Sequence, residues 1–364
     1  MTPSQQSAIR TEAARLVQQF EDAGAARVDA AILQPAEVLL DLYGEDIRAR
    51  AYVTSDPLLG EQMLRPDFTV PVVQMHMAHG AEPACYTYAG PVFRRQEIHT
   101  DRANEYTQVG FEVFDRTNPA QADARVFALF HRELAPLKLR AATGDIGILM
   151  SAVDGLRTTD RRKAALRRHI WRPRRFRALL DRFAARSPIP KTRAALLAAS
   201  APMADAGPEI GLRTAADVQA RIDVLREDAA TGPISAEEVR LIDAILSVRE
   251  TSDNALEILR DIAVDMPAIA SAVARLSARL DALGGEGIDI TALDFEASYG
   301  RTQMEYYDGF VFGFYVEARA DLPPVASGGR YDALTRRLGG GEEIPAVGGV
   351  VRPELILNLR GDTA

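Results

Sequence analysis

Apolar residues recur every three to four positions over residues 4–23, where Ile9, Ala13, Leu16, Val17 and Phe20 share one side, so the chain opens with an amphipathic helix. A segment through Val28, Ile32 and Leu33 leads to Pro35, and a short helix follows over Ala36 to Tyr43, with Gly44 placed to end it. The run Met63 to Thr69 enters a further helix through His79, for which Asp67 is the candidate N-cap. The pattern then changes to alternation. Tyr86, Tyr88, Val92 and Phe93, followed by Tyr106, Val109, Phe111, Val113 and Phe114, predict two strands of a hairpin joined by the polar run His99 to Asn104. In the second strand Val109, Phe111 and Val113 share one face, and Gln108, Gly110 and Glu112 share the other.

From Gly155 to about Leu283 the chain is rich in Ala, Leu, Arg, Asp and Glu, with helical periodicity broken by prolines, which predicts an all-helical insertion over residues 151–284. Strand character returns at Ile288 to Asp294 and at Tyr306 to Val316, where Asp308-Gly309 reads as a hairpin turn between two aromatic strands. Ser327 to Asp332 reads as a tight turn opening a helix, Ala346 to Val351 as a strand, and Pro353 as the start of a last helix. Strands on both sides of a helical excursion predict an α+β fold, an antiparallel sheet flanked by helices, with one core built from residues 1–150 and 285–364.

With 364 residues, 47% of them hydrophobic, the chain can bury a substantial core. A single cysteine, Cys85, allows no internal disulfide, and no apolar run has the form of a signal peptide or a membrane span, so the cytoplasm is the expected compartment. His76 and His79 lie at helical spacing without an acidic or third histidine partner, so no metal site is expected. The net charge of −8 argues against nonspecific nucleic-acid binding by the whole chain. Charge is nevertheless uneven: Gly155 to Arg186 holds twelve Arg or Lys against two acids. Such a segment suits RNA, another polyanion or an acidic protein surface, and equally a solvated helical face paired with acidic neighbours.

The candidate chemistry lies in the hairpin. Gly110 between Gln108 and Glu112 leaves room beside one amide and one carboxylate, a setting for a small ligand with an amine or an imidazole N–H; the alternative is an ordinary strand with a solvated polar face. Arg94 and Arg95, at the end of the first strand, can grip a phosphate.

Taken in order, the segments resemble class II aminoacyl-tRNA synthetases of the histidyl lineage. Pro35 matches the proline of the dimer-forming first motif, Leu64 to Thr69 (LRPDFT) resembles LRPE-x-T, and Gly90 to Gly110 resembles the second motif. Glu305 to Phe312 and Ser327 to Leu334 resemble the two histidine-binding signatures, and Pro345 to Leu355 the third motif. The resemblance implies a histidine pocket of Asp67, Thr69, Gln108, Glu112, Tyr307 and Arg330, with Asp67 standing where the family has glutamate. It also implies a damaged ATP site: Arg94 keeps its place as a remnant phosphate ligand, but Gln96 replaces a glutamate, Thr302 replaces the catalytic arginine and Leu355 aligns with the third-motif arginine. Arg301 and Arg352 stand nearby. No anticodon-binding domain follows the core, so a tRNA substrate is not expected.

Among families built on this core, the pattern resembles the regulatory subunits of ATP phosphoribosyltransferase. That resemblance implies no catalysis and no cofactor, dimerisation through the first-motif face, assembly with the short-form catalytic subunit for the first step of L-histidine biosynthesis, and L-histidine as a feedback effector. Two rivals remain at this point: a stand-alone amino-acid ligase using Arg94, Arg301 and Arg352, and an RNA-binding regulator using Arg157 to Arg186.

Overall fold

The computed structural model describes residues 2–43, 47–96, 103–204, 206–301, 306–319 and 321–362. The chain begins with α1 (Pro3–Asp22), β1 (Ala26–Arg27), β2 (Leu33–Pro35), α2 (Ala36–Tyr43), α3 (Ile47–Arg50), β3 (Val53–Asp56), β4 (Gly60–Leu64) and α4 (Thr69–His79). The hairpin β5 (Ala84–Phe93) and β6 (Glu105–Phe114) follows, then α5 (Pro119–Leu134) and β7 (Arg140–Asp145). A helical stretch runs through α6 (Ile146–Gly155), α7 (Asp160–Arg168), α8 (Pro173–Phe183), α9 (Lys191–Ala198), α10 (Ala215–Ala230) and α11 (Ala236–Ser247). It continues with β8 (Arg249–Thr251), α12 (Ser252–Asp265) and α13 (Ala270–Gly285). The last part holds β9 (Asp294–Glu296), β10 (Phe310–Tyr315), β11 (Ala326–Arg330), α14 (Asp332–Leu338), β12 (Ala346–Val351) and α15 (Pro353–Asp362).

The expected α+β architecture is present. Nine strands form one sheet in the order β1-β5-β6-β12-β11-β10-β7-β9-β8, with parallel pairing at β1-β5 and β7-β9 and antiparallel pairing elsewhere, and β2-β4-β3 make a small separate sheet. The predicted hairpin pairs Ala84 with Phe114 through to Phe93 with Glu105. Its apolar face meets helices: the Phe20 ring of α1 lies 5.4 Å from Phe111 and 5.5 Å from Phe130 of α5. Burial of such aromatic faces on one side of a sheet is the main driving force for this layer.

Three sequence expectations along the sheet change. Asp308-Gly309 is not a hairpin turn between two strands; it leads into β10, whose neighbours are β7 and β11, and Asp308 N–H donates to the Arg330 carbonyl. Ser327 to Arg330 is a strand rather than a turn, because its glycines sit under neighbouring strands: a Cβ on Gly328 would lie 2.2 Å from the Gly348 carbonyl. Local composition pointed to a turn, but sheet packing decided the outcome. The strand expected at 288–294 is instead the shorter β9, and residues 302–305 of the expected aromatic strand, together with Gly44, lie outside the described residues.

The segment 151–284 is not all helical, since β8 pairs with β9 at the sheet edge. Its last helix, α13, is fastened to the core: Arg279 is bridged to Asp123 of α5 and to Asp145 at the end of β7, both at 2.8 Å. No helix among the described residues is long and apolar enough to cross a membrane.

Candidate functional site

Register across the sheet sets up the site. Directly paired residues of neighbouring strands face the same way, so Tyr86, Glu112, Gly348, Gly329, Val311 and Gly144 form one row on the face opposite the α1 and α5 aromatics. Glycine at 348 is required: a Cβ there would sit 1.5 Å from Glu112 Oε2. Gly110, one row along, is covered by the Tyr88 ring, which a Cβ would meet at 2.1 Å.

Glu112 is fully buried and, among the described residues, its carboxyl is held by hydroxyl groups alone. Thr69 Oγ1 donates to Oε1 at 3.0 Å, the Tyr88 hydroxyl donates to Oε1 at 2.7 Å, and the Tyr331 hydroxyl donates to Oε2 at 2.6 Å. No ion pair reaches it from the described residues. Burial accordingly pushes its carboxyl up to about 7, against the opposing pull of these hydrogen bonds. Gln108 is buried on the same strand face, and its Oε1 has no hydrogen-bond partner among the described residues. Such an orphaned acceptor in a dry setting is costly unless something donates to it.

Asp67 is buried beside this group: its Oδ1 accepts from Val70 N–H at 3.3 Å, which tethers the start of α4 one residue away from the expected capping position. Its charge raises the Glu112 carboxyl further and acts with Glu112 on Tyr307, whose buried hydroxyl is also pushed up, chiefly by burial. Thus Asp67, Thr69, Glu112 and Tyr307 converge, and Gln108 lies on the same face.

Arg330 does not join them. It pairs with Val347 in register, in the row that faces the helices, and its guanidinium is occupied by Asp123 (2.7 Å), Asp332 (3.0 Å) and the Pro119 carbonyl (2.8 Å). The tight-turn reading of Ser327 to Asp332 hid the alternation that separates Arg330 from the pocket. Its neighbour Tyr331 was missed for the same reason, and Tyr88 because its position opposite Gly110 becomes visible only once the hairpin register is known.

The arginines of the expected ATP site serve as supports for backbone. Arg94 Nε donates to the Pro66 carbonyl at 2.8 Å, Arg301 Nε donates to the Ile170 carbonyl at 2.9 Å, and Arg352 Nη1 donates to the Pro324 carbonyl. Arg94 and Arg352 both lie against Tyr106, at 6.0 and 5.8 Å from its ring. Arg301 is 5% exposed and faces the Phe176 ring at 5.0 Å, and burial together with Arg177 holds it down to about 10. Thr302 lies outside the described residues. His76 is engaged by the Tyr86 hydroxyl at 3.0 Å, and no group of three potential metal ligands occurs among the described residues.

Comparison with known proteins identifies the family and the fold. The family model described as histidyl-tRNA synthetase matches residues 1–227 and 212–356. The ATP phosphoribosyltransferase regulatory subunit of Brucella anthropi is 32% identical over 88% of this chain and 89% of its own length. That of Rhizobium leguminosarum is 29% identical over 92% of this chain and 94% of its own. Among solved structures, a Bacillus halodurans protein titled ATP phosphoribosyltransferase regulatory subunit/histidyl-tRNA synthetase shares the fold, with a TM-score of 0.69 at 19% identity, over 98% of this chain and 80% of that one. A histidine–tRNA ligase subunit from Alicyclobacillus acidocaldarius gives 0.63 at 22% identity, over 100% and 95%. Within the histidyl-tRNA synthetase fold, the chain belongs to the ATP phosphoribosyltransferase regulatory subunit family.

Proposed function

We propose that this regulatory subunit binds L-histidine on the Glu112 face of its sheet and conveys feedback inhibition to the short-form catalytic ATP phosphoribosyltransferase subunit. The observation that carries the reading is Glu112 itself: a fully buried carboxylate with only hydroxyl partners among the described residues, two rows from an amide oxygen that has no donor among them. A ligand bringing an ammonium group or an imidazole N–H supplies what both acceptors lack. Activation of an amino acid would in addition need guanidinium groups aimed at developing phosphate charge. Arg94, Arg301 and Arg352 instead spend donors on backbone carbonyls, which supports a non-catalytic role.

Self-association through the first-motif face fits the small sheet around Pro35, where Ile32, Leu33, Val53, Leu58 and Leu59 are exposed apolar residues. A cytoplasmic setting suits both partners. The test is a calorimetric titration of the chain with L-histidine, with Glu112→Ala as control, alongside histidine-dependent pyrophosphate–ATP exchange. Saturable binding lost in the variant, without exchange, is expected; robust exchange would restore the ligase reading.

A further inference from the structure

The basic segment is only partly neutralised by its surroundings. Arg162 is bridged to Asp228 at 2.7 Å, Arg167 to Asp154 at 3.2 Å, Arg161 to Glu227 at 3.8 Å, and Arg177 to Asp243. By contrast Arg168, at the end of α7, and Arg174 and Arg175, in the first turn of α8, are exposed and form no ion pair among the described residues. These three arginines share one corner, the α7–α8 turn.

The first turn of α8 has no acidic residue, and its N-cap Arg172 makes no side-chain capping bond, so two cations stand where the helix dipole is positive. Beneath the same turn lies Arg301, anchored on the Ile170 carbonyl and facing Phe176, with buried Nη2 lacking an acceptor among the described residues. The buried Nε1 of Trp171 in the turn also lacks one among them. Among the described residues no acid is paired with Arg168, Arg174 or Arg175.

We propose that the α7–α8 corner, presenting Arg168, Arg174 and Arg175 above Arg301, is a docking surface for an acidic, carboxylate-bearing face of the catalytic partner. The proposal rests on the reading of the chain as a subunit that assembles with that partner. Three exposed guanidiniums that no acid among the described residues pairs are met best by carboxylates on the face that covers them. A protein face fits better than RNA because the aromatics here, Trp171 and Phe176, are half-buried and buried and offer no open platform for stacked bases.

The experiment measures binding of the full chain to the short-form catalytic subunit across a salt series, for the wild type and for Arg174→Glu/Arg175→Glu. Fluorescence of Trp171, the single tryptophan, gives a local readout. Wild-type affinity should fall steeply with salt, and the variant should bind about tenfold more weakly with a flatter salt dependence. Its melting temperature should be unchanged or higher, because acids suit a helix N-terminus, so weaker binding cannot be ascribed to misfolding. Equal affinity and equal salt slope in the variant would overturn the proposal. So would an RNA oligonucleotide bound at physiological salt and lost in the variant, which would assign the corner to RNA. Failure of the wild type itself to bind the catalytic subunit would overturn the assembly reading together with this one.

Discussion

Two buried carboxylates on opposite faces of the same sheet are treated in opposite ways. On the helix-covered face Asp123 receives two guanidinium groups, Arg279 at 2.8 Å and Arg330 at 2.7 Å, with Asp145 completing the network at 2.8 Å from Arg279. On the other face Glu112 receives three neutral hydroxyls. A carboxylate closed off by arginines is a structural fastening; one left with neutral donors in a glycine-lined row keeps its affinity for a positive or N–H-bearing group. The difference separates the part of a synthetase-like core that fastens the fold from the part proposed above to hold a ligand.

Removing one partner of the fastened group should have the largest effect. Asp123→Ala leaves two buried guanidiniums without their shared anion and should lower unfolding free energy by about 3–5 kcal/mol in urea titrations. A loss below about 1 kcal/mol would break the contrast between the faces.

Glu112 should show itself through pH. Its folded-state value of about 7 lies above the ordinary 4.5, so the native state holds its proton more tightly than the unfolded chain does. Its contribution to stability is therefore present below about pH 4.5 and is lost as pH rises towards and through 7, on the order of 3 kcal/mol in all. Asp308, also pushed up to about 7 by burial and by Asp332, adds a loss in the same direction, so the measurement is the difference between the wild type and Glu112→Gln. The variant should lose markedly less stability between pH 5 and 7; superimposable pH profiles would contradict the assignment.

A smaller effect is expected of Gly348→Ala. The added methyl meets Glu112 Oε2, so the variant should lose about 1–3 kcal/mol of stability and its histidine affinity together. Loss of stability with histidine binding intact would detach Glu112 from the ligand. Arg301→Met should change least, within about 1 kcal/mol or slightly stabilising, because it replaces an incompletely satisfied buried cation by an apolar side chain.

Much of this was legible in the chain. The alternation in residues 106–114 gave the strand, its two faces and the pairing of Gln108 with Glu112, because a period of two needs no tertiary information. The ordered motifs brought in Asp67, Thr69 and Tyr307. What could not be read locally was register. Tyr88 and Tyr331, which hold Glu112, come from β5 and from the start of α14, and Gly348 comes from β12. The glycine-rich run before Tyr331 has turn composition and becomes a strand only because neighbouring backbones approach too closely for side chains; Arg330, which the resemblance puts in the pocket, turns to Asp123 and Asp332 instead. The strand β8, Arg-Glu-Thr, carries almost no strand-forming signal of its own.

The most direct test of the central claim is a phosphoribosyltransferase assay on the short-form catalytic subunit reconstituted with this chain, with and without L-histidine, comparing wild type and Glu112→Ala. The account predicts activation by both chains and inhibition by histidine that is lost or at least tenfold weaker in the variant. Inhibition of undiminished potency in Glu112→Ala would contradict it.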